Sequence, residues 1–539
     1  MYNDIQYRKQ NKEDLEMKRR RAMALLLAAA MSVTALAGCS ANTSNEETKA
    51  GTETKAETGE TKAGEESAAA DGEESQSASG DVAEIKWYAP MSEIQADQES
   101  VQNAVNEYLK DKLNVQVKFI STDFGSFDQK MQMVISSQEE FDLCFTSNWC
   151  NNFYNNVNKN AFLDIGEIVE KEAPKLKEIM PESGFAAATV GGKLYAIPNY
   201  QIWAMTNGGY IVKDYVDKSG VDISSVKSLK DLDPIFESIK KDNPDVFPMI
   251  NSKQSIYGFT AAALGLDELS GMNVPGAVKY DDKELKVVNQ FALPEVMEHF
   301  KLMREWNQKG YFRPDAATIT DYKAEQKAGK YAAIMAGTLK PGETPVQKAD
   351  FGNKDVEQFR ISDSILKTSG INATMIAVSR TSKHPVEAVK LLELVNTDPV
   401  LYNLLCFGIE GTHYTKTEDG HVKPIENSGY NPNVDWTFGN QFNGYLREGQ
   451  EDGVWEETKA LNEAAIPSEA LGFVFDPEKV QTEIASTSAI VTEYLLMLDT
   501  GAVDPEEKMP EFLDKLEKAG SQKIIDEMQT QIDAWKAAK

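Results

Sequence analysis

The residues best equipped for chemistry in this chain are flat aromatic rings set among amides. Trp149, Tyr200, Trp203 and Trp436 each stand in or beside a loop-like stretch with Asn or Gln close by, and Asn440 and Gln441 follow shortly after Trp436. A binding site needs a concave surface, a few apolar platforms and some fixed hydrogen-bonding groups, and these stretches supply the last two. Glu410, in the glycine-flanked stretch Gly408 to Gly411, adds a carboxylate. The reactive constellations fare worse. The four histidines, His299, His384, His413 and His421, do not fall in H-E-x-x-H or any tight metal spacing, and there is no G-x-S-x-G elbow. Gly191-Gly192-Lys193 invites comparison with a phosphate loop, but Ala187 and Leu194 stand where that loop requires glycine and a hydroxyl. Paired carboxylates for glycoside hydrolysis remain open among 85 Asp and Glu residues. The expectation is a site that binds without catalytic residues, metal or cofactor.

One thiol stands in a telling context. Lys18-Arg19-Arg20-Arg21 precedes a run from Ala22 to Ala37 that is almost wholly apolar or small, the pattern of a secretory signal, and the run is short for a membrane span. It ends in Leu36-Ala37-Gly38-Cys39, which resembles the lipobox of bacterial lipoproteins. That resemblance implies that the Cys39 thiol takes a diacylglyceryl group, that cleavage makes Cys39 the new N-terminus, and that palmitate-like chains anchor the protein. Each buried methylene contributes roughly 0.8 kcal/mol, and two chains hold far more durably than one. Residues 1–38 are then the signal peptide. The four acidic side chains within residues 1 to 16 are unusual there and leave Met17 as an alternative start.

Ser40 to Gly80 is dominated by Ala, Gly, Ser, Thr and Glu, with hardly an aliphatic side chain, and cannot bury enough apolar surface to offset chain entropy. Residues 39–81 are expected to be an acidic, disordered tether, whose reach over the 41 residues from Ser40 is ~35 Å. Alternation of Ile85, Trp87 and Ala89 predicts a first strand, Val101, Val105 and Tyr108 a helix, Val115 to Ile120 a second strand, Phe127 to Ser136 a second helix, and Phe141 to Phe145 a third strand. Strand, helix, strand, helix, strand is the signature of a doubly wound parallel sheet, in which ligands sit beyond the carboxyl ends of the strands. That rule points at Tyr88 to Met91, Ser121 to Asp123 and Thr146 to Trp149. Further on, Pro294 to Gln308 reads as a helix with a core stripe of Val296, Phe300 and Met303, and Tyr331 to Met335 as a buried strand. Ile371 to Val378 is strand-like, a helix opens at Pro385, Asp419-Gly420 is a hairpin turn, and Val480 to Leu498 and Lys508 to Lys536 are helical packing segments.

The formal charge is −29; residues 1–38 carry +3, so the remainder carries −32. So acidic a surface repels phosphate backbones, which argues against a nucleic-acid partner. An apolar fraction of 41% suffices for real cores, and the length calls for two lobes or domains. Beyond Cys39 only Cys144, Cys150 and Cys406 remain; Cys144 and Cys150 either bridge or sit buried as small hydrophobes.

Taken in order, these stretches resemble the extracellular solute-binding lipoproteins of bacterial ABC importers. The likeness rests on the lipobox, on Phe127 to Leu143, on Gly192-Lys193-Leu194-Tyr195-Ala196-Ile197-Pro198, and on Gly329-Lys330-Tyr331-Ala332-Ala333 followed by Ile371 to Leu394. Gly408 to Tyr414 and Gly472 to Pro477 are similar to a sugar-binding subgroup, LipO-like, with a C-terminal domain of unknown role. The resemblance implies an α/β fold of the type II periplasmic-binding-protein kind: two doubly wound lobes joined by strand crossovers and closing on a ligand. Lobe one is then 82–198 plus 369–410, and lobe two 199–368 plus 411–539. It also implies the permease subunits of an ABC importer as partners, a monomeric protein, and a location on the outer face of the cell membrane through the lipid anchor alone. For the ligand, rings that pack on C–H faces beside amides and carboxylates suit a neutral oligosaccharide. A peptide is the runner-up; a secreted glycoside hydrolase or a glycan adhesin is the remaining alternative.

Overall fold

The computed structural model describes residues 82–252, 256–319 and 322–538. The signal, Cys39 and the tether lie outside the described residues. Among those described, no helix is long and apolar enough to cross a membrane.

The first sheet orders its strands Val115–Asp123, Ala83–Met91, Leu143–Thr146, Met375–Val378 and Ala196–Pro198. The first three run parallel, with Trp87 opposite Phe119 and Leu143, while Met375–Val378 is antiparallel to both its neighbours. Helices Gln98–Leu109 and Phe124–Ser136 cross between the parallel strands and bury Val101, Val105 and Leu109, and Phe127, Met131 and Val134, respectively. Spacings of three and four residues put each set on one helical face, so the stripe that the sequence carries is the face the sheet covers. The expected βαβαβ unit is therefore present, with its carboxyl ends along one edge.

The second sheet runs Ile466–Pro467, Val356–Leu366, Ala204–Val212, Tyr331–Ala336 and Phe247–Met249. Its two long central strands pair antiparallel, and Gly208 and Gly209 lie where a Cβ would meet the Phe359 and Ile334 carbonyl oxygens at 2.1 and 2.2 Å. The chain passes from the first sheet to the second between Pro198 and Ala204 and returns between Leu366 and Met375. These two crossovers join the lobes.

Three findings refine the expected layout. The span from Ile371 divides: Thr368–Ile371 is a helical turn, and the strand begins only at Met375. The Lys508 to Lys536 span is two helices, Pro505–Lys518 and Ser521–Ala538, parted at Gly520, whose φ of 98° breaks the helix. Third, residues after 410, expected with lobe two, feed the first core: Tyr414, Val422, Tyr430, Val434 and Phe438 are buried with the first sheet. They get there because the hairpin Tyr414–Lys416 and Val422–Pro424, turning at Asp419-Gly420, folds back beside the Pro399–Phe407 helix rather than crossing the cleft. The Pro294–Gln308 helix does bury Val296, Phe300 and Met303. Val296 and Phe300 pack with Val491, Tyr494, Leu498 and Phe512 of the C-terminal helices. Cys144, Cys150 and Cys406 are buried free thiols, so the first two do not bridge; burial pushes the Cys150 thiol up to about 12.

Candidate functional site

A cleft of about 1260 Å³ is lined by both sheets' loops. From lobe one come the turn after the Leu143–Thr146 strand and the helix Phe153–Asn158; from lobe two come Asn207, the Gly258 to Val274 stretch and Thr338; the return crossover adds Lys367 to Ser369 and Asn372. The location agrees with the rule for parallel sheets, since the lobe-one wall starts at a strand's carboxyl end.

Trp149 belongs to this wall and remains 53% exposed. Its turn is tied at several points. The Ser147 hydroxyl oxygen accepts from the Cys150 and Trp149 N–H groups at 2.7 and 3.2 Å, the Thr146 hydroxyl donates to the Asn151 carbonyl at 2.5 Å, and Asn151, at a φ of 46°, donates to the Phe145 carbonyl at 2.8 Å. Asn148 donates to the Ser369 carbonyl and the Asn372 side chain, and the indole N–H of Trp149 donates to the Ala373 carbonyl at 2.8 Å. The return crossover thus holds the ring in place before any ligand arrives, which lowers the entropic cost of binding. Phe124 stacks near Trp149, with ring centroids 5.8 Å apart, and Trp436 completes a trio at 5.6 Å from Phe124 and 6.3 Å from Trp149. Phe124 was not singled out in the sequence, although it follows Ser121 to Asp123, a strand end that the sheet rule did flag. Asp123 caps its helix, accepting from the Ser126 N–H at 3.1 Å.

Neither Phe124 nor Trp436 lines the cleft; both pack against the lobe-one core behind Trp149, and the remaining aromatic and polar candidates lie elsewhere too. Trp203 is buried, donates its indole N–H to the Asn199 carbonyl at 2.9 Å, and packs 4.7 Å from Tyr200, which is itself buried against Phe442. Neither ring lines the cleft. They follow the first crossover as expected, but its backbone turns them into the core of lobe one. Asn440 caps a short turn, accepting from the Phe442 N–H, and donates to the Asn396 carbonyl; Gln441 donates to Asp435. Glu410 is exposed beside Lys416. His413 accepts from the Ile409 N–H at 2.9 Å and faces Asp97 at 3.0 Å, the ordinary pairing expected for a histidine beside a turn.

On the lobe-two side the cleft carries charge that the sequence did not single out. Asp267 is buried and accepts from the Ser468 hydroxyl at 2.6 Å; Lys367 is buried next to Glu268. Burial lifts the Glu268 carboxyl above its ordinary range; the Lys367 ammonium opposes that rise and Asp267 reinforces it. Glu268 Oε1 and the buried Tyr257 hydroxyl lie near each other, yet neither closes a hydrogen bond of good geometry. Asp267 and Glu268 sit on the short strand Leu266–Glu268, and nothing local in the sequence marks them among so many acids. No group of His, Cys, Asp and Glu suited to a metal occurs among the described residues.

Two α/β lobes joined by two crossovers, with a pre-organised cleft between them, define the class as a solute-binding protein. The chain belongs to the bacterial extracellular solute-binding protein family, which matches residues 92–400. A domain of unknown function matches residues 469–537. A carbohydrate ABC transporter substrate-binding protein of Streptococcus pneumoniae serotype 4 is 28% identical over 462 residues, 85% of this chain and 92% of its own. The N-glycan transport solute binding protein NgtS of Streptococcus pneumoniae aligns with a TM-score of 0.74 at 26% identity, covering 84% of this chain and 98% of that one. Its complex with Man5GlcNAc aligns at 0.65 and 27% identity, over 85% and 99%.

Proposed function

We propose that this chain captures an oligosaccharide outside the cell and passes it, unchanged, to an ABC importer, while Cys39 and its acyl chains hold it at the membrane. The observation that carries the reading is Trp149: a half-exposed indole, fixed by its own N–H, in a cleft with carboxylates and amides along its other walls. A sugar packs its C–H face on such a ring and pairs its hydroxyl edge with groups such as Glu268. The cleft volume exceeds the roughly 300–1,000 Å³ of ordinary small-molecule pockets, which favours several sugar units over one. The glycan complexes of NgtS lend the reading support from a relative.

A thermal-shift screen of sugars, oligosaccharides and peptides tests it. A ligand at 100 times its dissociation constant stabilises by about 2.7 kcal/mol, and an oligosaccharide recovered intact after incubation separates binding from hydrolysis. Stabilisation by peptides and by no glycan refutes the carbohydrate reading.

A further inference from the structure

The C-terminal residues 469–537 match a domain of unknown function. Their helices bury Val491, Leu498, Phe512, Ile524 and Met528 in two cores, which accounts for their apolar faces. The segment ahead of those helices divides: Ala470, Phe473, Phe475 and Val480 join the second of these cores. Val474, Glu478, Gln481 and Ala485 line the cleft, and Glu478, Gln481 and Ala485 are solvent-exposed. Among the described residues, the Glu478 and Gln481 side chains make no hydrogen bond or ion pair, unlike Asn440 and Gln441, which are spent on structure.

Two connections fix this segment relative to the cleft, and a third ties the end of the helix that follows it. The Gly472 N–H donates to the Thr368 hydroxyl at 2.9 Å, at the return crossover. Asn158, at the end of the lobe-one helix that lines the cleft, donates to Asp476 at 3.0 Å, so lobe one and the C-terminal segment meet at the cleft rim. Deeper in, Asp499 accepts from the backbone N–H groups of Ile256 and Tyr257 at 2.5 and 3.1 Å and pairs with the His299 ring at 2.7 Å. Those bonds secure the stretch whose next residues, Gly258 and Phe259, are themselves part of the lining.

We propose that residues 470–485 form a third wall of the cleft, a distal subsite that reads the far sugars of a long oligosaccharide through Glu478 and Gln481 from the C-terminal unit and Asn155 from lobe one. The inference rests on the reading that the cleft holds an oligosaccharide. Trp149 grips one sugar ring, which a short glycan already satisfies. The polar pair Glu478 and Gln481 is reached only by a longer one. The C-terminal unit then acts on selectivity for chain length rather than on binding as such, and its buried helices are the support that holds the wall in place.

The test uses the protein carrying all residues from 39 onward, with the substitutions Glu478→Ala and Gln481→Ala together, both on exposed side chains and outside the cores. Calorimetric titration with Man1GlcNAc and with Man5GlcNAc compares a short and a long probe. Loss of two ligand hydrogen bonds predicts about a tenfold weaker affinity for Man5GlcNAc and unchanged affinity for Man1GlcNAc. Equal weakening for both probes, or none for either, overturns the distal subsite while leaving the carbohydrate reading in place. Failure of the unsubstituted protein to bind any glycan in a broader series of two to ten sugars overturns the carbohydrate reading and the subsite with it.

Discussion

Replacing Trp149 by alanine removes the exposed ring on which the carbohydrate reading depends. A tryptophan presents roughly 150–250 Å² for burial, and Trp149 keeps 53% of its surface free, so about 100 Å² is available to a ligand. If a sugar ring covers most of one face, about 80 Å² at 25 cal/mol per Å² gives ~2 kcal/mol, or about a thirtyfold rise in Kd. The same substitution deletes the N–H bond to the Ala373 carbonyl and the ring contacts with Phe124 and Trp436, each about 1 kcal/mol. Spread over a protein of this size, that loss lowers Tm by only a few degrees. Titration calorimetry on the variant and on Trp149→Phe, paired with scanning calorimetry of both without ligand, reads the two effects apart. The phenylalanine variant keeps a ring and loses the indole N–H, so it should fall between wild type and alanine. A Kd within twofold of wild type in a folded Trp149→Ala protein refutes the platform argument, and outright unfolding refutes the claim that this ring is peripheral to the core.

The other expectations follow from burial, charge and geometry. Trp203→Ala should cost about 3–5 kcal/mol of stability because the ring is fully buried against Tyr200, and a Tm close to wild type would contradict that packing. Glu268 has a raised native pKa, so its ionisation at neutral pH disfavours the folded state, and that cost disappears as pH falls through the raised value toward the ordinary 4.5. The Tm of Glu268→Gln relative to wild type should therefore decline between pH 7 and pH 4.5, whatever its absolute offset; a flat difference speaks against the burial of this carboxyl. Closure on a confirmed ligand should shrink the radius of gyration in small-angle scattering without a change in mass, and an unchanged radius counts against lobe movement. Cys39→Ala should shift the protein from the membrane fraction into the medium, and persistence in membranes washed of peripheral proteins would remove the lipid anchor from the account.

Local patterns carried a good part of this protein. The alternation through Ile85 and Trp87, the stripe of Val101 and Val105, and the glycine turn before Ala196–Pro198 each report short-range periodicity, and the sheet builds on them directly. Trp149 was legible for the same reason, since it stands just past a recognisable strand whose carboxyl end must face the cleft. What the remaining aromatic residues do was decided by contacts between residues far apart in the chain. Tyr200 and Trp203 differ from Trp149 neither in type nor in having amides nearby; they differ because Phe442 and Asn462, more than 230 residues onward, close over them. Asp267, Glu268 and Lys367 likewise become a charged cleft wall only when the return crossover brings residue 367 against a short strand 100 residues earlier. The placement of residues 470–485 at the cleft depends on Asp476 meeting Asn158 across 318 positions. Backbone propensity and side-chain period act over a few residues, whereas the direction in which a loop turns its side chains is set by which distant surface covers it, and that is a property of the folded chain.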